Sequence, residues 1–238
     1  DRWSKSHRIM SAIATNLQAV RQRIADAARA AGRKPESVQL LAVSKTWPAD
    51  AVLTATVAGQ NAFGENYVQE ALQKMSELSH RQIEWHFIGP LQSNKTRPVA
   101  EQFDWVHSID RPKIAERLSA QRPAHLTPLQ VCIEVNVSGE QSKSGCPPEG
   151  AATLCRAIAA LPRLQLRGLM AIPAPVDDFA QQRLAFRKLR DLFEQLRRGG
   201  LPLDTLSMGM SHDLEAAIAE GATIVRVGTA IFGTRNHP

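Results

Sequence analysis

The chain has 238 residues, of which 43% are hydrophobic and 22% are charged, and this composition excludes the disordered and fibrous classes of protein. The net charge of +6 does not predict nucleic acid binding, because the arginines concentrate in residues 21–33 and 183–198, where helical spacing favours a solvated helix face. No apolar run approaches the ~20 residues of a membrane span, and residues 1–7 lack the apolar core of a signal peptide. We therefore expect a cytoplasmic protein that binds neither nucleic acid nor membrane.

Residues 9–31 predict an amphipathic helix that precedes the first strand. Apolar residues from Ile13 to Ile24 recur at three- and four-residue spacings, and a glycine ends the pattern. We expect a flexible N-terminal segment over residues 1–8 and a single domain over residues 9–238.

The rest of the chain alternates short apolar runs with helical patterns. Strands are predicted near residues 38–43, 61–64, 84–88, 104–108, 129–136, 164–170, 204–208 and 223–227. Helices are predicted near residues 48–58, 66–79, 92–101, 111–121, 147–160, 177–198 and 213–219. This alternation predicts parallel strands, and eight repeats favour a single (β/α)8 TIM-type barrel with an extra N-terminal helix over a doubly wound open sheet.

Polar residues stand at the carboxyl ends of these strands, where barrels of this type carry their active sites. They are Lys45, Asn66, Ser108, Asn136, Ser207, Arg226, Gly228 and Thr229. His86 lies within the third strand, and the sixth strand ends in the softer Met170. We expect a functional site at this end of the barrel.

Lys45 is the candidate nucleophile. It follows the apolar and small residues 40–44, and an apolar environment favours the neutral amine, which attacks an aldehyde. Taken alone, a lysine at a strand end more often reaches solvent. Two kinds of Schiff base are open to such a lysine, one with a bound cofactor and one with a carbonyl substrate, as in a cofactor-free aldolase.

The segments after the last two strands favour an anionic cofactor. Gly228 and Thr229 can present backbone N–H groups at the start of a short helix, and Ser207 can supply a hydroxyl, which suits a phosphate group. Arg226 shares a strand face with Gly228 and needs an acceptor, either a pyridine nitrogen or an internal salt bridge. Together with Lys45, these residues predict pyridoxal 5′-phosphate (PLP). No metal site is predicted, since the chain has neither a C-x-x-C nor an H-E-x-x-H motif. No residue is assigned a catalytic role.

Seven motifs, in order, resemble those of the pyridoxal phosphate homeostasis protein family. They cover residues 43–45, 63–67, 85–89 with 91–95, 136–145, 168–170, 206–211 and 225–233. The resemblance implies a fold-type III barrel like the N-terminal domain of alanine racemases, PLP held as an aldimine on Lys45, and no established turnover. It assigns the phosphate to Ser207, Gly228 and Thr229, the pyridine nitrogen to Arg226, and the surroundings of the cofactor to Asn66 and Met208.

The function implied is buffering or delivery of PLP in support of intracellular vitamin B6, amino-acid and keto-acid homeostasis, with apo forms of PLP-dependent enzymes as recipients. Lys143, in the polar loop 136–145, is predicted through the same resemblance to form a transient second aldimine, the alternative being an ordinary solvated lysine.

A PLP-dependent amino-acid racemase is the alternative function. A racemase needs acid/base groups on both faces of the substrate Cα. The chain has one tyrosine, Tyr67, as a second candidate beside Lys45, so we expect at most a weak racemase-type activity.

Overall fold

The centre of the molecule is a closed barrel of eight parallel strands, seen in a computed structural model that describes residues 2–141 and 144–235. Neighbours in the barrel are neighbours in the sequence, and the last strand pairs with the first. The strands are β1 (Gln39–Val43), β2 (Ala62–Glu65), β3 (Glu84–Phe87), β4 (Trp105–Ile109), β5 (Leu129–Glu134), β6 (Leu164–Met170), β7 (Thr205–Ser207) and β8 (Ile224–Val227). The eight predicted strands are confirmed, and the closed barrel excludes the open sheet.

Helices surround the barrel, as the alternation predicts. They are α1 (Arg2–Ala30), α2 (Ala49–Val57), α3 (Val68–Glu77), α4 (Thr96–Gln102), α5 (Pro112–Gln121), α6 (Ala151–Ala159), α7 (Phe179–Arg198), α8 (Leu214–Ala219) and α9 (Thr229–Phe232). Helix α1 is the extra N-terminal helix. Within the part of the chain that the structure describes, no helix combines the length and the hydropathy required to cross a bilayer.

The strands are buried on both faces, because side chains alternate between the barrel interior and the surrounding helices. An interior cluster joins Leu41, Val43, Ala62, Ile88, Trp105, Cys132, Met170 and Ile224. The outward-facing residues pack against the helices in a second, larger cluster. Polar residues share the barrel interior with the small cluster, and they include the site residue Arg226.

Helix α1 is fastened to the last βα unit of the barrel. Its Arg23 pairs with Glu215 of α8 at 2.7 Å, and its Asn16 donates from Nδ2 to the carbonyl of Ile231 in α9 at 2.8 Å. Residues 2–8 are the exposed first turns of this helix, and residue 1 lies outside the described residues. Flexibility of residues 1–8, and the extent of the single domain from residue 9 onward, stay predictions.

The arginine-rich helix α7 is held against α8 by one buried carboxylate. Glu220, which is fully buried at the end of α8, accepts from Arg187 Nε at 2.9 Å and from Arg190 Nη1 at 3.0 Å. The side chains of both arginines are about two-fifths exposed, at 44% and 37%. Part of the positive charge in residues 183–198 therefore serves helix packing.

Candidate functional site

Lys45 lies two residues after the end of β1, and the backbone on both sides of it is held in place. The carbonyl of Ser44 accepts a hydrogen bond from the buried Lys74 ammonium at 2.7 Å. Thr46 has a φ of 67° and donates its N–H to Glu70 Oε1. The expectation of apolar surroundings is wrong for the Lys45 side chain, which is exposed because it lies beyond the end of the strand.

A buried charge cluster produces this anchoring. Lys74 Nζ lies 2.6 Å from Glu65 Oε1 and 2.8 Å from Glu70 Oε1, and Ser44 Oγ donates to Glu65 Oε2 at 3.2 Å. Burial raises the pKa of Glu65 to about 7, although the Lys74 charge acts in the opposite direction. Sequence reasoning missed this cluster. The sequence feature that could have indicated it is the spacing of four residues between Glu70 and Lys74. This spacing is more typical of an exposed ion pair on a helix surface, so it did not predict burial.

Asn66 follows β2 and presents an acceptor without a partner. Its Oδ1 is buried, and no hydrogen-bond partner for it occurs among residues 2–141 and 144–235. Gly89, after β3, approaches its backbone closely, since a Cβ at that glycine would lie 2.5 Å from the Asn66 carbonyl oxygen. Asn66 is therefore held at the strand end, and its buried amide oxygen is an unsatisfied acceptor within the described residues.

Arg226 lies in β8 with its guanidinium inside the barrel, where it is 3% exposed. Nη1 donates to Ser207 Oγ at 2.7 Å, and Nη2 donates to the Ala171 carbonyl at 3.0 Å. Both partners are neutral, so these contacts do not form the internal salt bridge that the sequence left open. Burial lowers the pKa of Arg226 to about 10, and the guanidinium therefore stays charged at neutral pH.

Ser207 and Met208, at the end of β7, are both fully buried. The Ser207 hydroxyl has two partners, Arg226 Nη1 and His107 Nδ1, each at 2.7 Å. Met208 packs within the larger hydrophobic cluster. The phosphate contact of Ser207 stays a prediction, and its hydroxyl already has partners inside the barrel.

The segment after β8 forms the short helix α9 next to the end of β1. A Cβ at Gly228 would lie 3.3 Å from the Val43 carbonyl oxygen, which shows how closely the two strand ends meet. Thr229 is the exposed first residue of α9. Ser211 contacts the same helix, because its Oγ accepts a hydrogen bond from the Ala230 N–H at 3.3 Å. Sequence reasoning did not assign Ser211 to the site, although it closes the motif over residues 206–211.

Other predicted residues belong to the loop after β5. Lys143 lies outside the described residues, so its role as a second attachment point stays a prediction. Asn136 begins the loop, and its Oδ1 accepts from the N–H groups of Ser138 and Gly139 at 3.2 Å and 3.1 Å. A cavity of ≈ 260 Å³ lies beside this loop and includes Ser108, the polar residue of the fourth strand.

Adjacent strands bring the main residues together. Because β1 pairs with both β2 and β8, Lys45, Asn66 and Thr229 follow neighbouring strand ends at one edge of the barrel. The set combines a primary amine, an unpartnered amide oxygen, hydroxyl groups and a buried cation. Such a set fits a small ligand that has a reactive carbonyl, an anionic group and a ring acceptor.

Comparison with known proteins finds a matching family model and several similar curated proteins. The family model described as "Alanine racemase, N-terminal domain" matches residues 15–236. The protein of Pseudomonas aeruginosa named pyridoxal phosphate homeostasis protein is 62% identical over 228 residues, which cover 96% of this chain and 98% of that protein. The Escherichia coli K12 protein of the same name is 55% identical over 231 residues, covering 96% and 99%.

Solved structures agree with these matches. PipY of Synechococcus elongatus with PLP bound superposes with a TM-score of 0.81 at 39% identity, covering 93% of this chain and 100% of that one. Alanine racemase of Corynebacterium glutamicum superposes with a TM-score of 0.66 at 20% identity, covering 93% and 60%. The second likeness shows the fold alone.

Proposed function

The chain belongs to the pyridoxal phosphate homeostasis protein family, and on this premise we propose that it binds PLP and buffers or delivers it, in support of vitamin B6, amino-acid and keto-acid balance. The observation that carries the proposal is the meeting of two strand ends, with the Lys45 amine after β1 and the Gly228–Thr229 segment after β8. A relative whose structure holds PLP has the same fold over its full length.

When bound, PLP supplies an aldehyde that condenses with a lysine amine, which forms a Schiff base and releases water. We assign this amine to Lys45, because its side chain is exposed at the strand end while its backbone is anchored through Ser44 and Thr46. An exposed amine can meet an incoming aldehyde without prior opening of the fold. We assign Asn66, after β2, and Met208, after β7, to the surroundings of the cofactor.

Arg226 is assigned to the pyridine nitrogen. Its guanidinium donates hydrogen bonds and keeps its proton at neutral pH, so the ring nitrogen that it contacts stays unprotonated. Gly228 and Thr229 are assigned to the phosphate, with backbone N–H groups and one hydroxyl as donors. The position of Ser211 Oγ beside the Ala230 N–H supports adding Ser211 to this group.

We further propose that the protein does not turn over amino acids. Tyr67, the one tyrosine of the chain, is 55% exposed at the N-cap of α3, where it is not enclosed with Lys45 as a second base would be. Incubation with L-alanine should give no D-alanine above the background of free PLP. Sustained racemisation that depends on Lys45 would support the racemase instead.

Borohydride reduction tests the attachment of PLP. Reduction of the PLP-loaded protein should fix a pyridoxyl group on Lys45, identified by peptide mapping, and Lys45→Ala should lose the visible absorbance of the bound cofactor. Lys188→Ala, at an exposed position of α7, serves as the matched control and should keep it. An adduct found on another lysine only would refute the assignment, and a colourless protein that still reacts with carbonyl compounds would indicate a cofactor-free aldolase.

Apo forms of PLP-dependent enzymes are the proposed recipients. The Lys143 role in transfer remains a prediction of the sequence, as does the cytoplasmic location. Transfer of PLP from Lys143→Ala and from the parent protein, compared at equal occupancy, would test the first of these. Equal rates would leave Lys143 an ordinary loop lysine.

A further inference from the structure

A chain of short polar contacts runs through the barrel interior from one end to the other. Arg226 Nη1 lies 2.7 Å from Ser207 Oγ, which lies 2.7 Å from His107 Nδ1. His107 Nε2 lies 2.8 Å from His86 Nδ1, and His86 Nε2 lies 2.6 Å from Glu84 Oε1. Glu84 is the first residue of β3, so the chain joins the carboxyl end of the barrel, where Arg226 lies, to the amino end.

Arg226 and Glu84, at the two ends of this series of contacts, determine the direction of every hydrogen bond between them. A guanidinium can only donate, and an ionised carboxylate can only accept. The His86 hydrogen bond lowers the pKa of Glu84, which is therefore ionised at neutral pH. Burial lowers the pKa of both His86 and His107, which makes the neutral imidazole the form present.

Only one arrangement of protons satisfies these conditions. His86 Nε2–H donates to Glu84, His107 Nε2–H donates to His86 Nδ1, and the Ser207 hydroxyl donates to His107 Nδ1. The opposite tautomer of His86 would leave its unprotonated Nε2 facing an ionised carboxylate at 2.6 Å. It would also direct two donors at Ser207 Oγ, from His107 and Arg226. The Ser207 proton is therefore committed to His107.

We propose that Ser207 and His107 are positioning residues that hold the Arg226 guanidinium through a hydrogen-bonded chain of fixed direction, and that the Ser207 hydroxyl is not a phosphate ligand. The proposal rests on the proposed function in one respect, the assignment of Arg226 to the pyridine nitrogen of PLP. It differs from the sequence-based prediction for Ser207, which places that hydroxyl on the phosphate.

The surroundings of the chain restrict its movement. His86 stacks on Trp105 with ring centroids 5.2 Å apart and planes 9° apart. His86, His107 and Ser207 are fully buried, whereas the Glu84 side chain is 44% exposed. The guanidinium is thus supported by a set of rigid groups that ends at the surface. Loss of one interior member would leave buried polar atoms without partners, which costs more than the bond itself.

The proton positions can be measured without the cofactor. Long-range ¹H–¹⁵N correlation spectra of the PLP-free protein at neutral pH identify which ring nitrogen of each histidine carries the proton. We expect Nε2–H tautomers for both His86 and His107. An Nδ1–H tautomer or a protonated ring at either position would refute the proposed direction of these hydrogen bonds, whether or not the protein binds PLP.

Ser207→Ala separates positioning from phosphate binding. If Ser207 positions Arg226, the variant should bind PLP and pyridoxal less tightly by the same factor, about tenfold for a lost hydrogen bond to a charged group, and should shift the absorbance of the bound cofactor. Ser207→Thr keeps a hydroxyl and should restore the parent spectrum. Loss of PLP affinity alone, with pyridoxal and the spectrum unchanged, would refute the proposal and support the phosphate contact.

Discussion

Lys45 owes its position to its neighbours and not to an enclosure of its own side chain. The carbonyl before it and the N–H after it are bound by Lys74 and Glu70, both from α3. Such anchoring fixes the backbone on both sides of Lys45, while its side chain is exposed. An anchored backbone with an exposed amine suits a residue that bonds to an incoming aldehyde and later releases it.

The cysteine side chains are buried, in contrast to the exposed side chain of Lys45. Cys132, Cys146 and Cys155 are free thiols and all three are buried. Burial raises their pKa values to about 12, 11 and 12, so the reactive thiolate is disfavoured at each. They are structural thiols, as the irregular spacing predicts.

Thr229→Val is predicted to weaken PLP binding far more than pyridoxal binding. The change removes one hydroxyl at the exposed start of α9 and keeps the shape of the side chain, so only a ligand with a phosphate should lose a contact. Titration of the variant and the parent with both ligands measures the difference, and about tenfold is expected for PLP.

Thr15→Val, a change on the exposed face of α1, is a suitable control and should leave both affinities unchanged. Equal losses for PLP and pyridoxal in Thr229→Val would argue that Thr229 supports the fold of α9 and does not contact the phosphate.

At the scale of elements, helix α3 is joined to β1 and β2 by buried charges. Its Lys74 reaches Glu65 at the end of β2 and the carbonyl of Ser44 after β1. The pKa of Glu65, about 7, is well above its usual 4.5, because burial outweighs the attraction to Lys74. This junction is therefore sensitive to pH.

The folded state holds the Glu65 proton more tightly than the unfolded state does. Stability contributed by this group is thus full below about pH 4.5 and decreases as the pH rises toward about 7, by about 3 kcal/mol at most. Glu65→Gln cannot ionise and should lack this decrease. Urea denaturation of the variant and the parent at several pH values between 5 and 8 would reveal it as a flatter profile.

Glu215→Gln is the matched control, since Glu215 forms a partly exposed pair with Arg23 and should retain the slope of the parent. Parallel stability profiles for Glu65→Gln and the parent would show that Glu65 is ionised throughout this range.

At the scale of the whole molecule, closure of the barrel is what creates the site. Pairing of β8 with β1 places Gly228 against Val43, and the Lys45 amine follows two residues later. Helix α1 supports this closure from outside through α8 and α9. Only part of α1 takes part, because its buried residues begin at Ile13.

Deletion of residues 1–8 is therefore predicted to leave the unfolding free energy unchanged, because the side chains of residues 2–12 are all exposed. Leu17→Ala, in the buried stripe of the same helix, should cost about 3 kcal/mol. Thermal and urea unfolding of both proteins against the parent measures the contrast. A clear loss of stability on deletion would place residues 1–8 within the folded domain.

The sequence by itself determined the βα alternation, the eight strands and the strand ends that carry Lys45, Asn66 and Arg226. These follow from hydrophobic periodicity, which is a local property of the chain. The resemblance to a family added the roles of the cofactor-site residues, which no periodicity contains.

Tertiary structure alone decided which side chains meet. Ser207 and His107 are 100 positions apart, and their contact depends on the closed barrel directing both side chains inward. The same holds for the contact of Lys74 with the Ser44 carbonyl and for that of Ser211 with α9. Side-chain partners across a barrel depend on strand register and closure, and these arise from the packing of the whole chain and not from any one segment of it.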